Sequence, residues 1–151
     1  MPRDIPPVRI LPMSDKAPGF RGRSIADVQA HVFLRDLPAM KGRWHYPRVG
    51  LNAEPGTIVL FQYRARIIAS GVFLRDEKFQ QARGGYGGAL HFDVASFRTF
   101  DPLDAPAMRK VWPAFRGFGH VRQFLNPTRY PMLKRSLKNV AAPAARKAKS
   151  G

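Results

Sequence analysis

Residues 57–63 read Thr-Ile-Val-Leu-Phe-Gln-Tyr and residues 66–74 read Arg-Ile-Ile-Ala-Ser-Gly-Val-Phe-Leu, with only Arg64-Ala65 between them. β-Branched and aromatic side chains at this density favour extended backbone, and two such runs joined by two residues fold as a β-hairpin. The joint lacks the Asn-Gly signature of a tight primed turn, which leaves the turn type open. The rest of the chain has to assemble around this hairpin.

Upstream, Glu54-Pro55-Gly56 makes a turn, and residues 42–52 pack Arg43, Trp44, His45, Tyr46 and Arg48 between glycines without a clear period, which predicts a loop. Ser24 as N-cap, Asp27 three residues on and the spacing of Ile25, Val28 and Val32 predict a helix over residues 25–35, closed by Pro38. Downstream, residues 76–88 are polar and glycine-rich around Tyr86 and read as a loop. Leu90, Phe92 and Val94 then alternate with His91 and Asp93, while Phe97 and Phe100 break the alternation, which predicts one long strand with a bulge at Ala95 or Ser96. Asp101-Pro102 ends it. Asp104 or Ala105 caps a helix that runs to Pro113, residues 121–125 suggest a short turn, and Asn126-Pro127 opens a last helix with Tyr130, Leu133 and Leu137 on one face. This order predicts an α+β domain over residues 23–137: a small curved antiparallel sheet with flanking helices. Residues 1–22, rich in Pro and Gly, predict an arm that docks without a regular element, and residues 138–151 a basic disordered tail.

Charge is distributed unevenly. The chain of 151 residues carries a formal net charge of +16, and residues 105–151 hold eleven Lys or Arg and no Asp or Glu. Trp112, Phe115, Phe118, Phe124 and Tyr130 interleave with these bases, so most of the segment can fold. A folded surface of one sign suits a polyanion, and nucleic acid binds such surfaces by releasing condensed counterions. An anionic membrane is the rival partner; it is disfavoured because Pro113, Gly117, Gly119, Pro127 and Pro131 interrupt any continuous amphipathic helix. The chain has no Cys, and His31, His45, His91 and His120 lack ligand spacing, so no metal or other cofactor is expected. Residues 1–12 contain prolines where a secretory signal needs an apolar run, which points to a cytoplasmic protein.

Catalytic constellations are thin. Asp76-Glu77-Lys78 places two acids side by side in the predicted loop, where solvated charge is the better reading. His91 and Asp93 share a face of their strand and make a possible acid-base dyad, though no third group accompanies them. The chain is therefore expected not to be an enzyme. Aromatic residues say more. Trp44 and Tyr46, flanked by Arg43 and Arg48, have the composition that stacks a base while guanidinium groups hold phosphates; packing of Trp44 beneath the hairpin is the competing reading. Tyr63 at its strand end suits a pocket mouth, and Gly71 clears room for a backbone or a ligand. At the corner Phe118-Gly119-His120, between Arg116 and Arg122, His120 can hydrogen-bond a base edge or a phosphate.

The run Pro55 to Tyr63 followed by Ile67 to Val72 resembles EVE-type domains of the PUA-like superfamily, where a glycine turn precedes an apolar strand ending in aromatics. Asp101-Pro-Leu103, residues 108–113, Phe118-Gly119 and residues 130–137 resemble the ending of the version fused to HNH nucleases in modification-dependent restriction enzymes. The resemblance implies a curved pseudo-barrel that takes a flipped, modified cytosine of DNA, such as 5-methylcytosine, into a pocket. It implies that Trp44 and Tyr46 lie in the aromatic loop and that Tyr63 and Ser70 stand near the pocket. No HNH nuclease follows here, so cutting would need a partner nuclease in trans, and the Gly-x-Lys motif of ASCH-type amidohydrolases is missing.

Together these readings predict a non-catalytic nucleic-acid reader, DNA favoured over RNA. Its base pocket is Trp44, Tyr46, Tyr63, Ser70, Phe118 and His120. Its phosphate contacts are Arg43, Arg48, Arg116, Arg122, Arg129, Lys134 and Arg135. The alternatives are an RNA-binding protein without modification sensing and a small hydrolase of a modified nucleoside.

Overall fold

A computed structural model describes residues 6–14, 20–46, 50–120 and 123–137. The predicted hairpin forms as β3 (Ile58–Tyr63) and β4 (Ile67–Arg83). Arg64 and Ala65 both take left-handed backbone, φ 51° and 57°, so the turn is of the primed kind despite lacking glycine. β4 is far longer than its apolar run. Its first half pairs with β3 on one edge and with β6 (Arg98–Leu103) on the other, and its second half pairs with β5 (Tyr86–Phe92). β2 (Arg43–Tyr46) adds to β5, and β1 (Val8–Met13) lies parallel to β3. The result is an open six-stranded sheet, α+β in class.

Both faces of the sheet are covered, because β3 buries alternate residues on opposite sides. Val59, Phe61 and Tyr63 face one core, shared with Val28, Val32, Phe33 and Leu37 of the first helix. Leu60 faces the other, shared with Met108, Val111, Phe115 and Leu133. The first helix, α1 (residues 25–39), begins at Ser24, whose hydroxyl accepts from the Asp27 amide at 3.1 Å. Its middle, Gln29–Asp36, is π-helical, and the wider turn sets Val28, Phe33 and Leu37 along one buried stripe. Gln29 is buried, and its Nε2 donates to the carbonyls of Ile68 and Phe100 at 3.0 and 2.7 Å, where the β4–β6 register shifts. Each carbonyl would cost about 1–3 kcal/mol if left unpaired, so Gln29 fixes the helix over the slip in the ladder. On the opposite face, α2 (Ala105–Val111) is capped by Asp104, and a 3₁₀ turn Pro127–Arg129, capped by Asn126, leads into α3 (Tyr130–Ser136).

Several expectations need correction. The sheet is not wholly antiparallel, since β1 and β3 run parallel. The arm predicted without regular structure supplies β1, whose Val8 and Ile10 face one core and Met13 the other. Residues 43–46 are strand, not loop. Residues 76–88 are the outer half of a hairpin, whose turn is Gly84-Gly85 at φ 58° and 86°, a conformation that glycine adopts without strain. The long strand predicted from Leu90 is two, β5 and β6, separated by a 3₁₀ turn Val94–Ser96 that Asp93 caps at Ala95. Pro38 sits inside the last turn of α1 instead of closing it; a π-helical stretch directs hydrogen bonds five residues back and relieves the clash a proline makes four residues back. The turn expected at 121–125 falls partly, and the tail at 138–151 wholly, outside the described residues.

Candidate nucleic-acid interface

The aromatic residues predicted to wall a base pocket are engaged elsewhere. Trp44 alternates inward on β2, and its ring lies 6.1 Å from Phe20, 6.3 Å from Phe33 and 5.4 Å from Phe61, between centroids. Tyr63 is 0% exposed, and its hydroxyl shares its one proton between the carbonyls of Phe20 and Arg23, 3.0 and 2.8 Å away. It ties the approach to α1 onto the sheet rather than lining a pocket mouth. Tyr46 is 7% exposed and donates to the Asp76 carboxylate at 2.6 Å. A side chain at Gly88 would collide with the Tyr46 hydroxyl, and one at Gly50 with the Asp76 carboxylate, so both glycines serve this pair.

Ser70 and Phe118 lie across the sheet. Ser70 is buried opposite Leu60 and faces Tyr130, whose pKa burial raises while Ser70 and Arg98 oppose the rise. Phe118 packs on Phe115 at 5.1 Å in the second core, and His120 is exposed, its carbonyl accepting from Gln123. The six residues therefore do not line one cavity: Tyr46 and Tyr63 belong to one core with the half-buried Trp44 packed against it, and Ser70 and Phe118 belong to the opposite face. Gly71 makes room for the Phe97 ring, 2.9 Å from where a Cβ would stand.

The proposed catalytic groups are likewise apart. Asp93 caps its 3₁₀ turn, whereas His91 Nε2 pairs with Glu77 at 2.8 Å. The hydrogen bond from His91 holds the Glu77 carboxyl below its usual range, helped by the charges of His91, Arg75 and Arg83 and opposed by desolvation. Among the described residues no three metal-ligating side chains cluster, and no helix is long and apolar enough to cross a membrane.

The cations tell a clearer story. On the α2–α3 side, Arg109, Lys110, Arg116, Arg129, Lys134 and Arg135 are exposed. Two of them are braced from below: Arg129 Nη1 donates to the Val111 carbonyl at 3.1 Å, closing the end of α2, and Arg109 Nε donates to the Phe115 carbonyl at 3.3 Å. Trp112 Nε1 donates to the Asn126 carbonyl at 2.9 Å and locks the two helical pieces together. No acid occurs anywhere in this layer after Asp104, which is itself occupied in capping α2. Arg43 stands apart on β2, and Arg48 and Arg122 lie outside the described residues.

No match emerges from comparison with known protein families, curated proteins or solved structures. The functional reading rests on the chain itself.

Sequence reasoning missed the outer hairpin of β4 and β5. There His45 lies 6.2 Å from the Phe79 ring and 5.3 Å from that of Tyr86, and the Arg83 guanidinium sits 4.4 Å over Phe79. The alternation of Arg43 and His45 with Trp44 and Tyr46 was the available signal for β2, which packs against this hairpin, since it places polar residues outward and aromatics inward with period two.

The Tyr46–Asp76 pair carries a pH signature. Burial first, then the hydrogen bond and charge of Asp76, raise the Tyr46 hydroxyl from 10.0 to about 12. A raised phenol favours the fold fully below its unfolded value and loses that contribution as the solution passes from 10.0 towards about 12. Melting temperatures followed through this range should fall more steeply for the native protein than for Tyr46→Phe. Parallel declines would show that the hydroxyl makes no difference to alkaline stability.

Proposed function

We propose that this protein is a nucleic-acid-binding domain without catalysis of its own, gripping the phosphate backbone through the α2–α3 surface. The observation that carries the reading is the acid-free cationic layer, braced on an apolar core so that its charges are presented on a rigid support. Phosphate contacts of this kind fix position and carry little base information, so affinity should vary little with sequence or base modification.

The finer reading, a flipped modified cytosine of DNA held in a PUA-like pseudo-barrel, is supported by the resemblance of residues 55–72 and 101–137. It requires Trp44 to leave its contacts with Phe20, Phe33 and Phe61, and that cost adds to the few kcal/mol of extruding a base. The packing of this ring therefore favours binding without modification sensing.

Fluorescence anisotropy of the full chain at fixed salt, with DNA and RNA duplexes of one sequence and the DNA with and without 5-methylcytosine, tests the reading. Comparable affinity for plain and modified DNA is expected. Marked preference for the modified strand would restore the base reader, and retention on heparin with no saturable binding to any nucleic acid would overturn both.

A further inference from the structure

The outer hairpin is built with more aromatic surface than its fold requires. Phe79 and Tyr86 belong to neither core, and Tyr86 is 42% exposed. His45 bridges them, its ring within 6.2 Å of Phe79 and 5.3 Å of Tyr86. Between Lys78 and Arg83 the ladder with β5 slips, and residues 77–83 line a shallow depression beside these rings.

Charge around the rings has one free sign. Arg75 and Arg83 are exposed, and no carboxylate among the described residues forms a salt bridge with them; Lys78 pairs with Gly88, as Tyr46 does, and so lies on the opposite face of the hairpin. The two local acids are occupied: Asp76 accepts from Tyr46 and Glu77 pairs with His91. The exposed Tyr86 ring and the half-buried Phe79 ring, the latter with the Arg83 guanidinium 4.4 Å over it, suit a strand whose bases are unstacked and whose phosphates run alongside. A duplex keeps its base faces covered and offers such a surface only its backbone.

Resting on the nucleic-acid reading above, we infer that the β4–β5 hairpin, through Phe79, Tyr86 and His45 with Arg75 and Arg83, is a stacking site for unpaired bases of single-stranded nucleic acid. The α2–α3 surface supplies backbone affinity for any strand, and the hairpin adds preference for single strands. Stacking tolerates any base and either sugar, so RNA and DNA single strands share this chemistry and are separated by experiment.

The test measures binding of the full chain to labelled oligouridylate, oligodeoxyuridylate and a DNA duplex of equal length at one salt concentration. Phe79→Ala or Tyr86→Ala should each weaken single-strand binding about tenfold, in line with the loss of one stacked base. Duplex affinity should stay within about twofold, because phosphate contacts persist. Tyr86→Phe keeps the ring and should restore single-strand affinity, and melting curves of each variant show whether the fold is retained. A preference of the native protein for one oligonucleotide, lost in Tyr86→Ala, identifies the sugar the site favours. Equal losses on single strands and duplex, or no loss from well-folded variants, would overturn the stacking site while leaving the α2–α3 reading intact. Absence of binding to all three probes by the native protein would overturn both.

Discussion

Raising the salt concentration from about 50 to about 200 mM is expected to weaken duplex binding by about a thousandfold, if all six exposed cations of the α2–α3 layer meet phosphates. Each contact releases condensed counterions, and the logarithm of affinity falls by about 0.9 per contact for each tenfold rise in salt. Replacing Arg116, Lys134 and Arg135 with Gln should remove three contacts and flatten the slope by about 2.7. These side chains are exposed, so the variants should melt close to the native temperature. Arg109 and Arg129 make poorer probes, because each also satisfies a carbonyl beneath it. A native slope near zero would mean that the layer is an ordinary solvated face.

Trp44→Ala is expected to cost about 2–3 kcal/mol of folding stability, below the about 3–5 kcal/mol of a fully buried ring because Trp44 is only half-buried against the core. The ring contacts Phe20, Phe33 and Phe61 and so joins α1, β2 and β3, and its removal opens a cavity that three neighbours on different elements cannot close together. Chemical denaturation should show a lowered midpoint. Any loss of nucleic-acid binding in this variant should then follow loss of fold and fall equally on plain and modified DNA. A Trp44→Ala protein with native stability that loses affinity only for the modified base would return the ring to a base pocket.

What could be read in advance follows from where the core lies. The β3–β4 hairpin was legible because its first strand buries both faces and its side chains are β-branched or aromatic. The caps at Ser24, Asp104 and Asn126 were legible because short polar side chains before a helical run have a local purpose. The outer half of β4 was not, since it projects beyond both cores and shows neither an apolar run nor alternation. The glycines that suggested a loop there have separate causes: Gly84 and Gly85 take positive φ, and Gly88 clears space for the Tyr46 hydroxyl. β1 was hidden because it feeds both cores, so Val8, Ile10 and Met13 follow no single face, and Pro12 interrupts it. At the site, the acid-free segment was visible as composition, whereas the core roles of Trp44, Tyr46 and Tyr63 depend on partners distant in sequence. An aromatic residue between arginines looks the same whether it stacks on a base or on Phe33.

Lysine acetylation, read by mass spectrometry with and without saturating duplex, tests the central claim most directly. Lys110 and Lys134 lie on the α2–α3 layer, while Lys41 is exposed at the end of α1, which packs on the other face of the sheet. Bound duplex should protect Lys110 and Lys134 and leave Lys41 as reactive as before. Protection of Lys41 with Lys110 and Lys134 unchanged, or equal reactivity of all three under saturating duplex, would contradict the assignment of the α2–α3 surface as the nucleic-acid interface.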